Sequence, residues 1–394
     1  MSARATCFLL LASLSTLLLP AHHALAAGPV LASVRIAAAP STSPGTSGAP
    51  ADPLPAAPPA SASAPAQVPA AAPAAPIVPS TPADLPAFDL SRPEIRSFVA
   101  EAQAQGIPPE RVIAALRSAE PQPQIVDAMN RPAEKTLQWW EYRAHMLTPA
   151  RIAAGAQLWR EHKELLDQVA IEYGVPPEYI VAVLGIETLY GRITGHYRVI
   201  DALATLAFDY PPRADYFRHE LTDFLLLAHE EHLNLFSVRG SYAGAMGALQ
   251  FMPSSYRKFA ISERRGRHSD LWQDWGDIFA STANFLHQAG WQSGQPVLAE
   301  THFSTDPNLT PGDHLQLSET LGTLRSRGLS IASDLPDATP ALLLAAPEPD
   351  GMRYRVGFRN FFVITRYNSS PAYAMAVYDL AKAIRERVAL DAAL

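Results

Sequence analysis

Tyr179-Ile180-Val181-Ala182-Val183-Leu184-Gly185-Ile186-Glu187-Thr188-Leu189-Tyr190-Gly191-Arg192 is an apolar run that ends on a single carboxylate, Glu187, with a turn glycine just beyond it. The apolar patterning predicts a helix over 178–186 with Glu187 at its end. Two readings fit a lone acid so placed. It is a surface glutamate at a helix terminus, or it is a proton donor. Burial against Val183, Leu184 and Ile186 would favour its protonated form, which a general acid working near neutral pH requires.

Around this stretch the first two thirds of the folded region read as helices. Apolar patterning of helical length covers 92–104, 109–117, 150–173, 214–232, 254–259 and 275–288. Pro108-Pro109 and Thr148-Pro149 supply start signals, and Gly174 and Gly290 supply stops. From 297 to 365 the pattern changes to short segments. Strands are expected at 341–346, 352–356 and 361–365, broken by Pro349-Asp350-Gly351 and Gly357. A last helix is expected over 372–390. The fold class is therefore mainly α (α+β), with an N-terminal helical subdomain and a small inserted β subdomain.

The N-terminal part is of another kind. Residues 1–27 combine Arg4, an apolar stretch from Phe8 to Leu19 and the small-residue site Ala24-Leu25-Ala26, the pattern of a cleaved secretory signal. The apolar stretch is short for a membrane span, so no stable membrane insertion is expected after cleavage. Cys7, the only cysteine, precedes the apolar core, so it is not at the position of a lipoprotein cysteine. A mature chain would then carry no disulfide and no thiolate ligand for a metal. Residues 28–86 are rich in Ala, Pro and Ser and read as a disordered linker. In a polyproline-like form of ~3 Å per residue, such a linker would reach on the order of 100 Å. A net charge of -7 and a pI near 5.9 argue against a nucleic-acid partner.

Two further segments carry candidate chemistry. Gly240-Ser241-Tyr242-Ala243-Gly244-Ala245-Met246-Gly247-Ala248-Leu249-Gln250-Phe251-Met252-Pro253-Ser254-Ser255-Tyr256 has glycines that permit turns and close backbone approach, as a groove wall against a polymer would need. Ser241 and Gln250 offer neutral hydrogen-bonding groups there. Thr365-Arg366-Tyr367-Asn368 with Tyr373 adds aromatic faces and an amide. Flat apolar surface with a few directed polar groups is a mixture that binds sugars.

With these segments in hand, the chain from about Phe88 onward resembles the lytic murein transglycosylase B family. The resemblance rests on Gly185-Ile186-Glu187-Thr188 with Gly191-Arg192 and on Asp201-Ala202-Leu203-Ala204-Thr205-Leu206. It rests also on 240–256, on Ile364-Thr365-Arg366-Tyr367-Asn368 and on Tyr373-Ala374-Met375-Ala376-Val377. It implies a lysozyme-like helical catalytic core. It implies cleavage of the bond between N-acetylmuramic acid and N-acetylglucosamine in peptidoglycan, without water, to a 1,6-anhydromuramoyl end. By similarity Glu187 is the single catalytic acid. Ser241 and Gln250 line the glycan groove beside it, Tyr367, Asn368 and Tyr373 approach from the other side, and Tyr142 matches an active-site tyrosine.

The domain plan that follows has a signal at 1–27, a linker at 28–86 and a helical subdomain with the catalytic core at 87–296. The β-containing insertion spans 297–365, and a strand end with the closing helix spans 366–394. Peptidoglycan glycan strands are the expected partner, with cell-wall synthesis proteins as possible further ones, and the location is periplasmic. No cofactor is implied. No separate wall-binding module is expected after the core.

The chemistry can also be argued from the residues alone. A two-carboxylate glycosidase needs a second acid about 5 to 9.5 Å from the first. The 240–256 segment contains no Asp or Glu, which leaves Asp201 and Asp215 as acids that only folding could bring near. A one-acid scheme fits better. In it Glu187 protonates the leaving oxygen and then takes the proton of the muramic acid C6 hydroxyl. Two alternatives stay open: a hydrolytic muramidase of lysozyme type, and a catalytically silent peptidoglycan-binding scaffold.

Two metal motifs are weighed and set aside. Relatives can carry a calcium loop before the segment matching Leu271-Trp272, but here Arg264, Arg265 and Arg267 stand where oxygen ligands would be required. His229-Glu230-Glu231-His232 lacks the i, i+4 histidine spacing of zinc proteases and reads as a solvated helix face. Trp139-Trp140 is expected in the core, and Phe361-Phe362 within the sheet.

Overall fold

The computed structural model describes residues 87–130, 137–264, 268–303, 310–312 and 315–393. The expected signal, the linker, Cys7 and the Arg265 to Arg267 stretch lie outside the described residues.

The helical part runs α1 (Pro93–Ala104), α2 (Pro109–Ser118), α3 (Pro123–Asn130), α4 (Trp139–Met146), α5 (Pro149–Glu161), α6 (Lys163–Tyr173) and α7 (Pro177–Thr188). A two-residue strand β1 (Tyr197–Arg198) leads to α8 (Val199–Asp209) and α9 (Ala214–Glu230). Strand β2 (Arg239–Gly240) pairs back on β1, and α10 (Pro253–Phe259) and α11 (Trp275–Gln288) follow. The sheet region contains β3 (Leu298–Phe303), β4 (Glu319–Thr320), α12 (Leu321–Ser326), β5 (Ser330–Ile331), β6 (Pro340–Glu348) and β7 (Gly351–Gly357). Helices α13 (Arg359–Tyr367) and α14 (Pro371–Ala392) close the order. Seven of these helices open on proline. At that position its fixed φ suits the helix and its missing N–H would have had no partner.

Helix α7 is the centre of the bundle. Nine of its twelve residues are buried, and α5, α6, α11 and α14 pack around it. A helix that is apolar on all sides belongs in a core. Burying Ile180, Val181, Val183 and Leu184 contributes roughly 1.5–3 kcal/mol each relative to exposure. No single helix among the described residues is long and apolar enough to cross a membrane.

Strands β4-β6-β7-β3-β5 form one sheet, in that order, with antiparallel pairings. Its two faces meet different cores. Leu342, Leu344 and Ala346 of β6 join the main helical core, while Ala341 and Leu343 join a small one with Leu321, Leu324, Val356 and Phe358. The alternation of a strand delivers successive side chains to opposite faces, and burial on both explains why 341–346 is apolar throughout.

Besides α3, α4, α8 and α12, helices that the apolar patterning did not single out, the structure departs from the sequence expectation in three places. Residues 150–173 form two helices: His162, at φ -118° and ψ 26°, ends α5 and starts α6. Its ring packs on Trp275 and Phe279 of α11, a long-range contact that helical periodicity does not register. Residues 361–365, expected as a strand, lie in α13. The buried positions Asn360, Phe361, Val363, Ile364 and Tyr367 fall on one helical face, and a five-residue apolar segment fits either period. The expected boundary between 365 and 366 thus falls inside a helix, and Phe361 packs from α13 against Gly357. Trp139 and Trp140 also divide: the first is buried, the second exposed.

Candidate active site

Glu187 stands in the last turn of α7, and the chain leaves the helix at once. Leu189, Tyr190 and Gly191 take successive left-handed φ values of 50°, 63° and 76°. For the two non-glycine residues this costs roughly 1–2 kcal/mol each. Specific contacts hold the bend. The Tyr190 N–H donates to the Leu184 carbonyl at 3.0 Å, and its hydroxyl donates to the Arg151 carbonyl at 2.8 Å. The Tyr190 ring folds back beneath α7, where a Cβ on Gly185 would lie 2.6 Å from the phenol oxygen. Glycine at 185 makes that space. Buried Thr188 completes the arrangement: its hydroxyl donates to the Ala248 carbonyl at 2.8 Å and accepts from the Gly191 N–H at 2.9 Å.

The half-buried Glu187 carboxylate has a tyrosine as direct partner. The Tyr373 hydroxyl, in the first turn of α14, donates to Glu187 Oε1 at 2.6 Å. Ser370 Oγ caps that helix by accepting the Tyr373 N–H at 3.2 Å. Burial pushes the Tyr373 hydroxyl well above the usual tyrosine range, and the Glu187 carboxylate pushes in the same direction. The phenol therefore stays a donor. Tyr367 lies parallel to Tyr373, ring centres 6.3 Å apart, and burial followed by the charge of Glu187 raises its hydroxyl too. Tyr142 of α4 is buried and close enough to add to the field on Tyr373.

The opposite wall is the 240–256 segment. Bridges Gly240 to Met246 and Met246 to Phe251 fold it into two compact turns, and a Cβ on Gly240 would collide with the Ala245 carbonyl. Ser241 Oγ accepts the N–H groups of Ala243 and Ala245 at 3.2 and 3.1 Å. Gln250, at φ 51°, donates from Nε2 to the carbonyls of Thr194 and Gly247, both at 3.0 Å. Its Oε1 accepts no hydrogen bond among the described residues. Tyr367 ties this wall to the other side, its hydroxyl donating to the Leu249 carbonyl at 2.5 Å. Asn368 is buried with Oδ1 accepting the Ser370 N–H at 3.0 Å, and its Nδ2 is a buried donor without a hydrogen-bond partner among the described residues.

The seven residues singled out in the sequence thus divide by role. Glu187, Tyr373, Tyr367 and Tyr142 form one electrostatically connected group. Ser241 and Gln250 direct their hydrogen bonds to shaping the loop, and Asn368 carries a buried donor with no hydrogen-bond partner among the described residues. Sequence reasoning passed over Thr188, Tyr190 and Arg151, which aim the end of α7. The non-glycine bend at 189–190 is invisible without coordinates.

The other acids are engaged elsewhere. Buried Asp201 accepts the Glu120 N–H at 3.0 Å and lies 3.4 Å from the Arg198 guanidinium. Exposed Asp215 pairs with Arg218. Among the described residues no group of three or more His, Cys, Asp or Glu is placed to hold a metal ion. In the 262–270 stretch, the buried Asp277 carboxylate accepts the N–H groups of Glu263 at 2.8 Å and Asp270 at 2.9 Å, and Arg264 lies 3.7 Å from Asp274. His229, Glu230 and His232 are exposed.

Comparison with known proteins identifies the family. The Transglycosylase SLT domain family matches residues 91–382. The chain is similar to Membrane-bound lytic murein transglycosylase B of Escherichia coli, at 40% identity over 246 residues, 62% of this chain and 67% of that protein. Its structure is similar to that of the catenated lytic transglycosylase SltB1 from Pseudomonas aeruginosa, with TM-score 0.71 and 42% identity, covering 76% of this chain and 99% of that one. It is also similar to SltB3 from Pseudomonas aeruginosa in complex with NAG-anhNAM-pentapeptide, with TM-score 0.65 and 31% identity, covering 74% and 78%.

Proposed function

Because the chain belongs to the SLT-domain family of peptidoglycan lytic transglycosylases, we propose that it cuts the β-1,4 bond between N-acetylmuramic acid and N-acetylglucosamine non-hydrolytically, with Glu187 as acid and then base. The observation that carries this reading is the 2.6 Å bond from Tyr373 to Glu187 Oε1. A phenol that keeps its proton orients the carboxylate without becoming a competing base. Protonated Glu187 gives its proton to the leaving N-acetylglucosamine oxygen as the bond to muramic acid C1 breaks. The carboxylate then takes the proton of the C6 hydroxyl as O6 bonds to C1. Glu187 ends protonated, no water is consumed, and a 1,6-anhydromuramoyl end results.

Positive charge at C1 develops opposite neutral groups. The Gln250 amide oxygen, the tyrosine hydroxyls and the substrate's own acetamido group take over what a second carboxylate does in other glycosidases. The engagement of Asp201 by Arg198 and the exposure of Asp215 support the single-acid scheme. Activity in the periplasm, on glycan strands reached through the Pro/Ala-rich linker and beside wall-synthesis proteins, completes the proposal.

Digestion of purified sacculi followed by mass spectrometry is the test. Anhydromuramoyl ends are expected; reducing muramic acid ends in their place would assign the chain to hydrolysis. No turnover at all, with glycan binding retained, would make it a scaffold.

A further inference from the structure

Away from Glu187, four charges on four separate stretches of chain converge where the sheet meets the helical core. Asp379 of α14 lies 2.9 Å from Arg143 Nε of α4 and 3.1 Å from Arg355 Nη1 of β7. Arg355 also reaches Glu300 of β3 at 3.1 Å, and its guanidinium sits 5.4 Å from the ring centre of Trp139, the first residue of α4. Asp379 and Arg355 side chains are only 7% and 12% exposed, so screening by solvent is weak and the pairing constrains position strongly. Two cations and two anions balance.

The helices joined here are those that carry Tyr142 and Tyr373. Tyr142 immediately precedes Arg143 on α4. Asp379 lies six residues beyond Tyr373 on α14, roughly 9 Å along the axis at 1.5 Å per residue. We propose that Arg355, through Asp379 and Arg143, is a positioning residue that sets α4 and α14 so that Tyr373 meets Glu187. The inserted sheet thereby supports the reaction from outside the groove. This inference rests on the glycan-cleaving reading of Glu187.

A double-mutant cycle tests it on soluble glycan chains with the full protein. Arg355→Gln is expected to retain a cooperative unfolding transition, to lower kcat about tenfold and to leave KM within about twofold. In a Tyr373→Phe background the same substitution is expected to change kcat by less than about twofold. An equal loss in both backgrounds, or no loss in the single variant, overturns the proposal. If Arg355→Gln does not fold, Arg143→Gln is carried through the same cycle with the same two deciding results. A crystal structure of the folded variant supplies a reading independent of turnover: the bond from Tyr373 to Glu187 is expected to open beyond ~3.5 Å, and an unchanged 2.6 Å overturns the proposal. A wild-type protein that releases no anhydro ends would sink the reaction assigned to Glu187, while that distance still decides the network.

Discussion

Glu187 and Asp379 are carboxylates on α7 and α14, helices that pack against each other, and their surroundings are opposite. Asp379 is enclosed by two guanidiniums within 3.1 Å. Glu187 has a tyrosine hydroxyl at 2.6 Å and a second tyrosine in its field. A pair of guanidiniums holds a carboxylate in a fixed geometry, which suits a group that only holds position. A neutral donor orients a carboxylate while leaving it able to exchange a proton, which suits the acid-then-base role proposed for Glu187. The fold keeps these two acids on separate helices, α7 and α14.

The contrast breaks most decisively at Glu187 itself. Glu187→Gln is expected to lower release of anhydro ends by about 10²–10⁴-fold, the range for a general acid, with the melting temperature little changed. Near-normal turnover would hand the chemistry to another group.

A smaller effect is expected from Tyr373→Phe, which deletes a hydrogen bond to a charged group worth about 1.5–3 kcal/mol. The kcat should fall about 10- to 100-fold. A kcat equal to wild type would mean that the 2.6 Å bond has no part in the reaction.

Thr188→Val probes the aim of α7 rather than its acid. It leaves the buried Ala248 carbonyl without its 2.8 Å donor, at a cost of about 1–3 kcal/mol. The melting temperature should drop by about 2–6 °C, with a lesser loss of turnover than Tyr373→Phe. Unchanged thermal stability in calorimetry would remove Thr188 from this role.

The mildest test is a third carboxylate, Glu220 of α9, which is buried and accepts from Ser254 N–H at 3.0 Å and Ser254 Oγ at 2.7 Å. Burial raises its carboxyl above the ordinary 4.5. The folded state then holds more protons than the unfolded one as pH rises through this window, so this group lowers stability with rising pH. Glu220→Gln removes that term. Relative to wild type, the variant should gain melting temperature from pH 4.5 upward, and a difference that stays flat with pH would contradict it.

Much of this was legible in order along the chain. The apolar run before Glu187, the proline starts and the strand pattern at 341–346 and 352–356 are local, and each became the element expected. Residues 361–365 misled because a short apolar segment fits both periods, and its side chains were resolved into a helix only by Gly357 and the core. The split at His162 likewise depends on α11, more than a hundred residues away.

By itself the sequence determined the proline-marked helix starts, the strands at 341–346 and 352–356 and the candidate acid, because apolar period, proline and glycine act within a few residues. Only the tertiary structure decided what that acid touches. Tyr373 lies 186 positions from Glu187 and Arg143 lies 236 from Asp379. Such pairs form where packed helices cross, and the crossing is set by the whole core rather than by any stretch of chain.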